Sequence, residues 1–294
     1  MATKKQATRA AAGRNRAARS SERRPAHRFG FIGGGNMATA LIKGFVAGSV
    51  CRSDEIIASD VDADKRNALR RRLKVTATAD NGEVVRAADV IVLAVKPQIM
   101  SAVLDDLRPL VTKRKLFVSI AAGWPTARLE AGLGNAARVV RVMPNTPALL
   151  GKGMAVAVGG AHATPADMRL VLKLLRTVGK ARAVDREALL DAVTGLSGSG
   201  PAYVYLFAEA MIAGGVAVGL DPEAARELTL QTLTGAAAML EETGETPERL
   251  RAAVTSPGGT TLAGLSELDR CGFAAAIRSC VAAAARRAEE LGRG

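Results

Sequence analysis

Short apolar runs alternate with amphipathic stretches through the first half of the chain. The run Phe29-Gly30-Phe31-Ile32-Gly33 reads as a strand that turns through Gly34, Gly35 and Asn36 into an amphipathic helix ending near Ala47. Residues 55–60 form a second strand, which ends on an acid, Asp60. Residues 63–73 read as a charged helix, 74–76 as a short strand, and 81–87 as a helix opening after the capping residue Asp80. Residues 90–95 are apolar throughout, as expected of a strand covered on both faces. Residues 116–120 and 138–143 give two more buried strands with a helix between them. Strand alternating with helix predicts an α/β fold, a Rossmann-type doubly wound parallel sheet over residues 29–184.

The pattern changes beyond Val184. Strand signals stop, and Ala- and Leu-rich helical segments follow, broken at residues 220–222, 241–247 and 256–259. Residues 185–294 are therefore expected to form an all-α domain that follows the sheet. Its small residues and limited length argue against an isolated bundle, and for a homodimer built through these helices.

Composition narrows the class. At 294 residues, 48% of them hydrophobic, the chain is long enough for two domains with cores of their own. No apolar stretch reaches the roughly 20 residues of a spanning helix; residues 208–219 come nearest and are interrupted by Glu209 and several glycines. A soluble cytoplasmic protein with no membrane partner is expected. The three cysteines, Cys51, Cys271 and Cys280, lack CxxC spacing, so neither a disulfide scaffold nor a metal site is expected. The net charge of +13 is concentrated at one end: residues 1–28 hold nine Lys and Arg against one acid, Glu22. That segment reads as a disordered basic tail with weak nonspecific affinity for polyanions and no specific nucleic-acid partner; an organelle transit peptide is the alternative.

The glycine turn has the context that makes such a motif informative, with a strand before it, a helix after it and an acid ending the next strand. Gly33 allows the tight turn, Gly35 lets a pyrophosphate approach the backbone, and Ala38 permits close helix–sheet packing. The helix starting near Asn36 points unpaired N–H groups at the phosphates. Asp60 would accept hydrogen bonds from the 2′-hydroxyl of NAD and repel the 2′-phosphate of NADP, while Lys65 and Arg66 lie close enough to reach a phosphate. Ala94, Val95, Lys96 and Pro97 end the long buried strand at the ligand-binding edge of such a sheet, where Lys96 either flanks a cofactor or is a solvated strand-end lysine.

What is missing constrains the chemistry. Reducing a ketone makes an alkoxide, and its enzymes usually supply a proton from His, Lys or Tyr. The only histidines are His27, in the tail, and His162, and from Ala181 onwards there is neither His nor Lys. Dehydrogenases with a catalytic His or Lys are disfavoured. A protonated imine escapes the requirement: it accepts hydride directly and yields a neutral amine, so its enzyme has mainly to orient it.

Two segments of the helical half stand out. Ser197, Gly198, Ser199, Gly200 and Pro201 within residues 191–203 allow close backbone contact, to a ligand or to another helix. Ser256-Pro257-Gly258-Gly259-Thr260-Thr261 opens a helix whose free N–H groups suit a carboxylate, or are plain caps. With residues 33–38, 94–97 and 141–147, these segments resemble the pyrroline-5-carboxylate reductase family in order and spacing, over about residues 29–290. The resemblance implies reduction of 1-pyrroline-5-carboxylate to L-proline, NADPH or alternatively NADH as cofactor, and often a ring of dimers such as a decamer. It implies cofactor contacts from Ile32, Gly33, Gly34, Gly35, Asn36, Met37, Asn81, Ala94, Val95, Lys96, Pro97, Ile120, Ala121 and Ala122. The substrate carboxylate would lie on Gly258, Gly259, Thr260 and Thr261, with Thr261, the catalytic residue, hydrogen-bonding the ring nitrogen. Residues 197–201 would wall the pocket. Asp60 departs from the family, which often has a small or basic residue there. The rival readings are a reductase of a related cyclic imine, a β-hydroxyacid dehydrogenase relative, and a noncatalytic dinucleotide sensor; a sensor has no need of residues 191–203 and 256–261.

Overall fold

The structure is a computed structural model that describes residues 28–134 and 136–293. The expected basic tail lies outside the described residues except for Arg28, which already belongs to the sheet. Its N–H donates to the Glu55 carbonyl (2.9 Å) and its carbonyl accepts from Val90 N–H (3.2 Å).

Strands β1 (Phe29–Ile32), β2 (Ile56–Ser59), β3 (Thr76–Thr78), β4 (Val90–Leu93), β5 (Leu116–Ser119) and β6 (Arg138–Met143) lie in the order 3-2-1-4-5-6, all parallel. Strands β1, β2, β4 and β5 are buried at every position, which is why they read as apolar runs, broken only by Ser59 and Ser119 at the ends of β2 and β5. Successive residues point to opposite faces. Phe29 and Phe31 pack with Leu41 and Phe45 of helix α1 (Asn36–Ala47), whereas Ile32 packs with Val85 of α3 (Asn81–Ala87) and Leu104 of α4 (Met100–Leu107). Each such side chain, fully buried, contributes about 1.5–3 kcal/mol.

Three expectations need correction. The sheet has eight strands and is not parallel throughout: β7 (Gly153–Gly159) runs antiparallel to β6, and β8 (Gly179–Ala183) parallel to β7 after helix α6 (Pro165–Leu175). The 144–152 connection is shorter than the dozen or so residues of a parallel crossover, so β7 can only return beside β6. The short third strand begins at Thr76, two residues later than its pattern suggests, because Lys74 adopts a left-handed conformation (φ 57°). The expected helix over 63–73 divides into α2 (Ala63–Ala68) and a π turn, Leu69–Leu73.

From Leu189 onwards the described residues form no strand. Helix α7 (Leu189–Val193) continues as a π turn, Thr194–Gly198, followed by α8 (Gly200–Ala217), α9 (Pro222–Thr243), α10 (Pro247–Ala253), α11 (Thr260–Arg270) and α12 (Phe273–Arg293). Asp221 and Thr246 cap α9 and α10 through their side chains. The break between α11 and α12, at Gly272 (φ 69°), was not foreseen. No helix among the described residues is long and apolar enough to cross a membrane.

Candidate active site

The residues expected at a cofactor follow the carboxyl ends of five adjacent strands, β3, β2, β1, β4 and β5. Gly33 has φ 98°, and a Cβ there would lie 2.7 Å from the Ala94 carbonyl oxygen. Only glycine fits where the β1 turn meets the end of β4. At Gly35 a Cβ would meet nothing within 4 Å, so the backbone is open to an approaching group. Gly35 caps α1 without a side-chain bond, leaving the first-turn N–H groups of Asn36 and Met37 free. Those features fit a dinucleotide pyrophosphate. Ala94 N–H donates to Ile32 (2.8 Å), Ile120 N–H donates to Leu93 (3.2 Å), and Trp124 Nε1 donates to the Pro97 carbonyl (3.0 Å). Residues 94–97 and 120–122 thus form one continuous rim with the glycine turn. Lys96, just before the Pro97–Ile99 turn, is exposed on that rim.

Asp60 reaches back to the glycine turn, its Oδ2 accepting from Gly34 N–H at 2.8 Å. Asn81, at the start of α3, accepts from the Ser59 hydroxyl (2.6 Å), which ties the ends of β2 and β3 together.

One strand further along, the end of β6 carries the second expected segment. Asn145 Nδ2 donates to the Ser197 carbonyl (3.2 Å) and hydroxyl (3.3 Å), while its Oδ1 accepts from Met154 N–H (2.8 Å). This anchors the π turn to the sheet edge; π turns widen a helix locally and recur at functional sites. Ser197, Gly200 and Pro201 line a cavity of about 610 Å³ together with Asn145, Tyr203 and Phe207. Gly198 faces Met143, where a Cβ would lie 2.4 Å from Met143 Cε, and Gly195 lies against the α12 backbone, 2.6 Å from Val281 O by the same construction. Cavity lining and helix packing therefore divide this segment between them. Tyr203 donates to the Gly195 carbonyl (3.1 Å). Burial, with the Cys280 thiol beside it, holds the Tyr203 phenol above the usual tyrosine range, against the lowering effect of Ser199. Asn145 and Tyr203 fall within sequence segments already singled out, but their anchoring roles depend on residues about 50 and 8 positions away.

Behind the cavity an ionic network joins the sheet to the helical half. Arg141, 6% exposed, donates to Glu187 Oε1 (2.9 Å) and lies 3.8 Å from Asp191 Oδ1. Glu187 also accepts from the backbone N–H (2.8 Å) and hydroxyl (2.7 Å) of Thr126, which starts helix α5 (Thr126–Leu133) just after the 120–122 rim. Burial pushes the Asp191 carboxyl above its usual range; Arg141 opposes this, and Glu289 and Glu187 add to it. Sequence reading missed Glu187 altogether.

The third expected segment stands apart. Gly258 has φ 69°, Gly259 caps α11 without a side-chain bond, and Thr260 and Thr261 form the first turn. No residue of 256–261 lines the cavity beside Ser197. Within one chain the 197–201 segment is tied to the end of β6, next to the strand that carries residues 120–122, and the third segment does not line the cavity there. No group of His, Cys, Asp or Glu that could hold a metal ion occurs among the described residues.

Residues 187–291 match the family model described as pyrroline-5-carboxylate reductase dimerisation, and residues 28–123 match NADP oxidoreductase, coenzyme F420-dependent. The pyrroline-5-carboxylate reductase of Methanosarcina acetivorans is 42% identical over 90% of this chain and 98% of its own length. That of Pseudomonas aeruginosa is 45% identical over 90% and 96%. Among solved structures, the Coxiella burnetii enzyme superposes with a TM-score of 0.84 at 36% identity, covering 90% of this chain and 98% of that one. The Plasmodium falciparum enzyme with NADP bound gives 0.82 at 31% identity, covering 91% and 99%.

Proposed function

The chain belongs to the pyrroline-5-carboxylate reductase family, and from that premise we propose that it reduces 1-pyrroline-5-carboxylate to L-proline, the last step of proline biosynthesis, with NADPH as hydride donor. The observation that carries this reading is adjacency. The rim formed by the glycine turn, residues 94–97 and residues 120–122 ends at β5, and the next strand, β6, holds the Ser197 wall through Asn145. NADP in the Plasmodium relative and the NADP oxidoreductase match support the cofactor.

When bound, the reduced nicotinamide supplies a hydride to the carbon of the C=N bond. The chain's own residues have to hold and orient. The cavity offers Asn145, Ser197 and Tyr203 as polar groups and is otherwise lined mainly by apolar side chains such as Pro201 and Phe207. It contains no His or Lys, and a substrate that arrives as a protonated imine needs none. Hydrogen-bond donors for its carboxylate come from residues 258–261, and the Thr261 hydroxyl accepts from the protonated ring nitrogen. Because the chain's own 256–261 turn does not line its cavity, we assign these groups to the partner subunit's Thr261 and its neighbours.

A homodimer through the helical half supplies that partner. Helix α8 is apolar on every side apart from Glu209 yet has no buried residue, a pattern that belongs to a covered helix. Residues 29–184 and 185–294 are accordingly the dinucleotide-binding and the dimerisation and substrate domains, with dimers assembling further into a ring. With no membrane-crossing helix among the described residues and no disulfide at Cys51, Cys271 or Cys280, we place the enzyme in the cytoplasm. Purified protein should oxidise reduced cofactor, followed by absorbance, only when the pyrroline is added. Faster turnover of 2-keto acids would overturn the reading.

A further inference from the structure

Resting on the dinucleotide reading above, we propose that the adenosine end of this site binds NADH at least as tightly as NADPH, because Asp60 is a fixed carboxylate at the 2′ position and Lys65 compensates it only in part.

Asp60 follows the carboxyl end of β2, where this fold receives the adenosine ribose. Its side chain is 8% exposed and held at both oxygens: Oδ2 accepts from Gly34 N–H (2.8 Å) and Oδ1 from Asp62 N–H (2.9 Å). The carboxylate cannot turn away from a 2′-phosphate without breaking two hydrogen bonds to an ionised acceptor, the stronger kind. A carboxylate has about four acceptor positions, so two remain for a ribose hydroxyl. A phosphate dianion has no proton to offer them and meets only repulsion.

The neighbouring cations do not reverse this. Arg66 donates to the carbonyls of Asp60 (2.8 Å) and Val61 (2.9 Å), so that guanidinium nitrogen is committed to the turn. Lys65 Nζ lies 3.8 Å from Asp60 and 3.9 Å from Asp62, shared between two acids. The Asp62 carboxylate also accepts from Asp64 N–H (2.8 Å) and Lys65 N–H (3.3 Å), which leaves those amides no capacity for a phosphate. A small cleft of about 200 Å³ between α1 and α2, lined by Lys43, Lys65 and Arg72, keeps the local potential from excluding NADPH. The result is a site that tolerates the 2′-phosphate without selecting for it.

The test is calorimetric titration of the intact oligomer with NADPH, NADH, AMP and adenosine 2′,5′-bisphosphate, for wild type, Asp60→Asn and Lys65→Ala. Wild type should bind NADH at least as tightly as NADPH. Asp60→Asn should tighten NADPH and the bisphosphate by about tenfold relative to NADH and AMP. Lys65→Ala, at a half-exposed position, should weaken NADPH and the bisphosphate alone, and it keeps the test open if Asp60→Asn fails to fold. A wild type that binds NADPH more tightly than NADH, or ratios that neither variant moves, would overturn the proposal while leaving the family activity intact. Failure of both dinucleotides to bind would overturn the two readings together.

Discussion

Phe29, Phe31 and Ile32 form an apolar run on β1 that is wholly buried, whereas Val204, Tyr205 and Leu206 form an equally apolar run on α8 that is half or more exposed. The contrast extends along the chain. Of the exposed large hydrophobics among the described residues, only Val61, Ile99, Leu149 and Leu150 precede Leu196. In the sheet, β-strands hand one apolar face to each helical layer and the core closes within the chain. Beyond residue 193 only Gly195, Ala225, Thr229 and Ala288 are buried among the described residues, and residues 187–291 match a dimerisation model, so this half is left for a second copy to cover. The first half closes its own core and the second does not.

The most severe way to break this comparison is to charge the exposed face. Leu206→Glu should abolish association in sedimentation analysis and bring activity to background while the sheet stays folded. A fully active monomer would sink the idea that the helical half is completed by its twin. Next in size is the network that joins the halves. Glu187→Ala leaves Arg141 buried beside only a distant Asp191, and should lower unfolding stability by about 3 kcal/mol, read from the urea midpoint. An unchanged midpoint would mean that the joint is not ionic. Thr261→Ala sharpens the comparison from the substrate side: turnover should fall about 10²-fold while cofactor affinity stays near wild type. Loss of cofactor binding instead would place the threonine on the wrong half.

The smallest effect is on pH dependence. Asp191 is raised above its usual range by burial. Its protonated form is therefore favoured in the fold, so the stability it contributes is full below its unfolded value of about 3.9 and is lost as pH rises through the higher folded value. Asp191→Asn should become progressively more stable relative to wild type as pH rises above about 4. A difference that does not vary with pH would show that the joint does not feel the protonation of Asp191.

Much of this molecule is written locally. The strands from β1 to β6, the glycine turn, Asp80 as a cap and the strand-free second half all follow from short-range periodicity and turn chemistry, whose interactions span only a few residues. The family motifs likewise stand in the sequence as contiguous words. Tertiary structure decided the rest. The reversal of β7 came from a connection too short to cross over. The third strand's late start came from Lys74 entering a left-handed conformation. Asp60 is ambiguous as a letter, and it acquires a definite role only when the fold sets it against Gly34 and Asp62. Glu187 carried no signal at all, because its partners lie 46 and 61 positions away. The 256–261 turn was legible as a segment, and the fold alone shows that it does not line the cavity beside Ser197 in its own chain.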